Sequence, residues 1–218
     1  MHASSDPSSP LYARADLSRV VVAGHSMGAT CSIMAAKRLS LGESPAANVT
    51  VRLVISQHPG ICGPFGPPPW PSTWLPSDLN QVARHYPLLF TTATNDGAFW
   101  PAPHTAEHEI GCVRKAQLNG SAAHGAAVVQ FSGDACGEDG VHSPWTDSGH
   151  DCPFKTAPEA PWVLTALKLY AQQEGRADSA CAAMLWGGAN DSLMRDPSVA
   201  QHLIYPPRRV DDGEWQRS

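Results

Sequence analysis

Leu17-Ser18-Arg19-Val20-Val21-Val22-Ala23-Gly24-His25-Ser26-Met27-Gly28-Ala29-Thr30 is the stretch that decides the fold. It opens on a β-branched apolar run of the kind that forms a strand buried on both faces. With no linker it enters Gly24-His25-Ser26-Met27-Gly28, and then an alanine-rich helical pattern over Ala29 to Leu39. A strand that turns this abruptly into a helix leaves the turn residue, Ser26, standing clear of the sheet. The flanking glycines suit that close approach. A Cβ at either Gly24 or Gly28 is expected to collide with the neighbouring strand or helix.

Outward from this stretch, strand and helix patterns alternate. The first strand covers about 18 to 23, and its helix runs to about Leu41, stopped by Gly42 with Pro45 beyond. A second β-branched run spans Val49 to Ser56. It gives way to a proline-rich loop from His58 to Pro76 carrying Trp70 and Trp74. Ordered loops of this length are commonly functional, and the two tryptophans either line an apolar site or anchor the loop to the body.

The third strand is Pro87 to Ala93, followed by Thr94-Asn95-Asp96-Gly97 and a helix from about Pro103 to Leu118. The fourth is Ala126 to Phe131, after which a glycine-bearing polar loop leads to Gly149-His150-Asp151. A long helix from Pro161 to about Glu174 has Pro161 in its first turn and Gly175 just past its end. Its apolar positions Val163, Leu164, Leu167 and Tyr170 share one face. A shorter helix follows near 178 to 186. The alternation predicts an α/β fold with a mostly parallel sheet and helices on both faces. Residues 1–16 read as a flexible lead-in, 17–186 as one domain and 187–218 as a C-terminal tail.

At 218 residues the chain is long enough for one sizeable core, and its net charge of −5 is modest. There is no basic stripe to suggest nucleic acid, and no apolar run nears the roughly 20 residues of a transmembrane helix. The 20 prolines exceed the usual share of about 5% and gather in the loops. The six cysteines, at 31, 62, 112, 136, 152 and 181, contain no CxxC pair, which argues against a zinc ribbon or redox motif. Cys62, Cys112, Cys136 and Cys152 fall in expected loops or at element ends. This suits disulfides of a secreted enzyme, with the pairing left open. The polar start Met1-His2-Ala3-Ser4-Ser5-Asp6-Pro7 has no apolar core of a signal peptide.

G-x-S-x-G between a strand and a helix is the nucleophile elbow, and on it the chain resembles the α/β-hydrolase superfamily. A serine hydroxyl needs a base to take its proton, and the base needs an orienting acid. In that superfamily the order is Ser, then Asp or Glu, then His. The resemblance therefore implies Ser26 as nucleophile, Asp96 as the orienting acid and His150 as the base. Order disfavours His58 and His85, which precede Asp96, and His104, His108 and His124, which precede the fourth strand. His142, on the loop of His150, is the rival base. The Met27 N–H, at the start of the helix, is one expected oxyanion donor. No cofactor is implied, and the expected partner is a small-molecule or lipid-like ester.

Within the superfamily, Gly24-His25-Ser26-Met27-Gly28 is similar to the polyester (PET) hydrolases and cutinase-like enzymes, and to chlorophyllase-like and platelet-activating-factor-type esterases. These imply a carboxylic ester hydrolase. His58-Pro59-Gly60 departs from the polyester hydrolases, which commonly carry an aromatic after the second strand. The family also carries roughly half a sheet before the elbow strand, against about 17 residues here. The expectation is the C-terminal portion of a hydrolase fold lacking the first strands, with an exposed apolar edge and an incomplete oxyanion hole. An inactive hydrolase-fold binding protein is the alternative. A zinc-dependent hydrolase using His104, Glu107 and His108, which match H-x-x-E-H, is a weaker one.

Overall fold

The computed structural model describes residues 7–8, 16–43, 49–59, 62, 74–93, 106–131, 159–170, 179–186, 193–196 and 199–207. Among the described residues five strands, β1 (Val20–His25), β2 (Val51–Gln57), β3 (Leu88–Ala93), β4 (Ala126–Phe131) and β5 (Val199–Tyr205), form one sheet in that spatial order. The first four are parallel, and β5 runs antiparallel to β4. The helices are α1 (Met27–Ser40), α2 (Pro76–His85), α3 (Ala106–Lys115), α4 (Ala160–Tyr170) and α5 (Ser179–Trp186), with a 3-10 turn at Leu193–Arg195. The expected α/β class with a mostly parallel sheet is what the chain adopts.

Each crossover from β1 to β4 steps the same way, so right-handed connection puts α1, α2 and α3 on one face. That face buries Ile33, Ala36, Leu79, Val82, Ile110 and Val113 against Val54, Leu88, Phe90 and Val128. The opposite face buries Trp162, Ala166 and Leu169 of α4 and Leu185 and Trp186 of α5 against Leu53, Ile55, Leu89 and Val129. A register shift opposite Val20–Val21 lets β2 change phase at Arg52. Val51 and Val54 thereby lie in one layer while Leu53 and Ile55 lie in the other.

β1 forms one edge of the described sheet, with Val20, Val21 and Val22 half-buried and Ala23 exposed. β3 and β4, by contrast, are buried at every position. α1 ends with Gly42 at φ 70°, its N–H bonded to the Leu39 carbonyl and that of Glu43 to the Arg38 carbonyl. This is the glycine stop expected there. Among the described residues no helix is long and apolar enough to cross a membrane.

Three local expectations need correction. The stretch read as loop up to Pro76 is followed directly by α2, whose signals are Pro76 at its first turn and Asp78 accepting the Leu75 N–H at 2.8 Å. The stretch read as tail supplies β5; Val199-Ala-Gln-His-Leu-Ile-Tyr205 has no clean alternation to announce it. In α4 the buried face is Ala160, Trp162, Thr165, Ala166 and Leu169, and Leu164 is exposed. The helix is apolar nearly all round, so period alone leaves its rotation open, and burial of the large Trp162 indole decides it.

Trp74 is fully buried, its ring edge-on to Phe90 at 5.5 Å between centroids, so it anchors its segment; Trp70 lies outside the described residues. A disulfide joins Cys62 to Cys112, the latter inside α3 rather than at an element end. Cys31 is exposed and Cys181 buried, and Cys136 and Cys152 lie outside the described residues.

Candidate active site

The parallel strands point their carboxyl ends one way, and Ser26 sits at that rim between β1 and α1. Its backbone has φ 58° and ψ −124°, a combination that L-residues rarely adopt and that costs roughly 1–3 kcal/mol. Surrounding structure holds it there. The Ser26 N–H donates to the Gln57 carbonyl on β2 at 2.9 Å, and the Ser26 carbonyl accepts from the N–H groups of Ala29 and Thr30. The hydroxyls of Ser32 and Ser56 both donate to the Ala29 carbonyl, at 2.7 and 3.2 Å, which ties the first turn of α1 to β2.

The two elbow glycines are not equivalent. A Cβ at Gly24 would lie 2.0 Å from the Gly28 carbonyl oxygen and 2.7 Å from the Ala29 nitrogen. A Cβ at Gly28 would meet nothing within 4 Å, so the collision expected at both positions holds only for Gly24. The reason is geometric: the turn folds the helix start back onto Gly24, while Gly28 faces outward.

Met27 is the first residue of α1, where helix geometry leaves the N–H without an intrahelical partner. Its side chain is half exposed at the same rim. The N-terminal end of a helix also carries partial positive charge, which suits a developing anion beside Ser26. Asp96 and His150 lie outside the described residues, as do His142 and His104. Of the zinc alternative, Glu107 and His108 fall on the backbone of α3.

Beside the elbow is a cluster that the sequence reading missed. His58, with φ 48°, and Glu159, the residue before α4, are both fully buried, and His58 Nε2 contacts Glu159 Oε1 directly. The neighbouring Gln57 donates through Nε2 to the other carboxylate oxygen, Oε2, at 2.8 Å. The His58 N–H donates to the Thr91 carbonyl of β3, and the His25 ring lies 5.7 Å from the His58 ring. No spacing could have revealed this pair, because 101 residues separate the two partners.

No protein-family model matches the chain, and no curated protein matches it at a significant level.

Proposed function

We propose that the chain is an α/β-hydrolase-type serine hydrolase that cleaves carboxylic esters through an acyl-enzyme. The observation that carries this reading is the conformation of Ser26. It is a non-glycine residue with positive φ at the strand-to-helix turn, on the carboxyl rim of a parallel sheet, where open α/β sheets bind ligands. Strain of that kind collects at functional turns.

In this reading His150 takes the Ser26 hydroxyl proton as Oγ attacks the ester carbonyl carbon, and Asp96 holds the imidazole tautomer. The Met27 N–H stabilises the oxyanion. Collapse expels the alcohol, which leaves with the proton from His150. Water, deprotonated by the same imidazole, then releases the acid and regenerates Ser26. The proposed substrate class is a small or lipid-like carboxylic ester, and the chemistry calls for no cofactor.

The test is turnover of p-nitrophenyl butyrate, with intact-mass analysis after treatment with a p-nitrophenyl phosphonate. Wild type should hydrolyse the ester and gain one phosphonyl adduct on Ser26, and Ser26→Ala should do neither. A folded wild type that neither turns over nor labels would overturn the reading in favour of a hydrolase-fold binding module.

A further inference from the structure

We infer that Glu159 is a positioning residue for Ser26, acting through Gln57 and His58. Its kinetic consequence rests on the esterase reading above; its structural consequence does not. Gln57 is the link. Its carbonyl accepts the Ser26 N–H, and its side-chain amide grips Glu159 Oε2. One residue thus connects the strained turn to a carboxylate on the other face of the sheet.

The rest of the cluster braces that link. Glu159 Oε1 is held by His58, and the Glu159 carbonyl accepts the Val163 N–H in the first turn of α4. The carboxylate therefore sits at the positive end of a helix, where its charge is favoured. His58 itself is locked between the Thr91 carbonyl and Glu159 in a positive-φ conformation. Two adjacent strands thus end in positive-φ, non-glycine residues, Ser26 after β1 and His58 after β2. Such conformations persist only where neighbours over-determine them.

A fully buried carboxylate–imidazole pair is a poor way to gain stability, since desolvation offsets most of its attraction. Its return here is geometric: it fixes the end of β2 against which the elbow is built. The side-chain amide of Gln57 and the backbone of Ser26 then move as one body.

Glu159→Gln and Gln57→Met test this, the second keeping side-chain length while removing the amide donor and leaving the His58–Glu159 contact in place. Amide hydrogen exchange over residues 24–30 should quicken at least tenfold in both variants, with near-native circular dichroism. For p-nitrophenyl butyrate, kcat should fall at least tenfold with KM within twofold, and the double variant should be no worse than the poorer single one. Wild-type exchange at the elbow in both variants overturns the inference, as does a kcat loss without faster exchange there. Should Glu159→Gln fail to fold, Gln57→Met decides alone. Should the wild type lack esterase activity, the exchange measurement still decides, so the two readings fail separately.

Discussion

The amide of Ser26 donates to the carbonyl of Gln57 at 2.9 Å, so the turn that presents the serine is held by the neighbouring strand as well as by its own helix. The elbow is thus a product of the sheet, and changes that disturb the β1–α1 approach should be felt at the serine itself.

Gly24 and Gly28 separate these effects. The Cβ of Gly24→Ala would fall 2.0 Å from a backbone oxygen, which no side-chain rotation can relieve. The expected cost is about 3 kcal/mol or more, with loss of the proposed esterase activity. Gly28→Ala meets open space within a helix, and its lower backbone entropy should leave stability unchanged or raise it by up to about 1 kcal/mol. Urea unfolding of the two variants checks this, and equal losses would contradict the geometry.

Asp78 joins two helices. Its Oδ1 accepts from Lys37 Nζ of α1 at 2.6 Å, while Oδ2 accepts the Leu75 N–H at the start of α2. The carboxylate is buried and the lysine is about a third exposed. Asp78→Ala removes both bonds and should cost about 2–4 kcal/mol. Lys37→Met, which keeps the apolar stem, should cost less, about 1–3 kcal/mol, because the capping bond survives while Oδ1 loses its cation. Equal costs in urea unfolding would show that the cap contributes nothing.

Sequence reading reached the strands β1 to β4 and the elbow because each is a local signal: β-branched runs, and a G-x-S-x-G set between strand and helix. It missed α2 because the proline-rich composition around Pro76 hid a helix start that Asp78 and the Leu79–Val82–Ala83 spacing also mark. It missed β5 and the His58–Glu159 pair for a different reason. An antiparallel edge strand without alternation, and a buried contact between distant residues, exist only once tertiary packing brings them together. The same limit applied to Gly28, whose surroundings depend on how α1 lies over β1.

The Cys62–Cys112 bridge closes a separation of 50 residues and fastens the segment after β2 to α3. Constraining the unfolded chain over that length should contribute roughly 2–4 kcal/mol. For a chain of this size that corresponds to a fall in Tm of roughly 5–15 °C on its removal. Thermal unfolding of the Cys62→Ala, Cys112→Ala double variant, compared with wild type under non-reducing conditions, measures it. An unchanged Tm would show that the bridge adds nothing to stability.

His124 gives the fold an acid-side dependence with a definite sign. Burial, and secondarily the positive charge of His85, hold its pKa below the ordinary 6.5. Its Nδ1 is buried and has no hydrogen-bond partner among the described residues, which leaves none of them to receive a proton there. The unfolded chain therefore takes up the proton first, at about pH 6.5. The stability contributed by the neutral ring is fully present above that pH and is lost as pH falls through the lower folded-state value. Unfolding free energy measured by urea at pH 8 and pH 5 should fall more for wild type than for His124→Gln, which cannot protonate in this range. An NMR titration should place the His124 midpoint below 6.5. A midpoint at or above 6.5 would show that the ring is solvated and that its charging does not oppose folding.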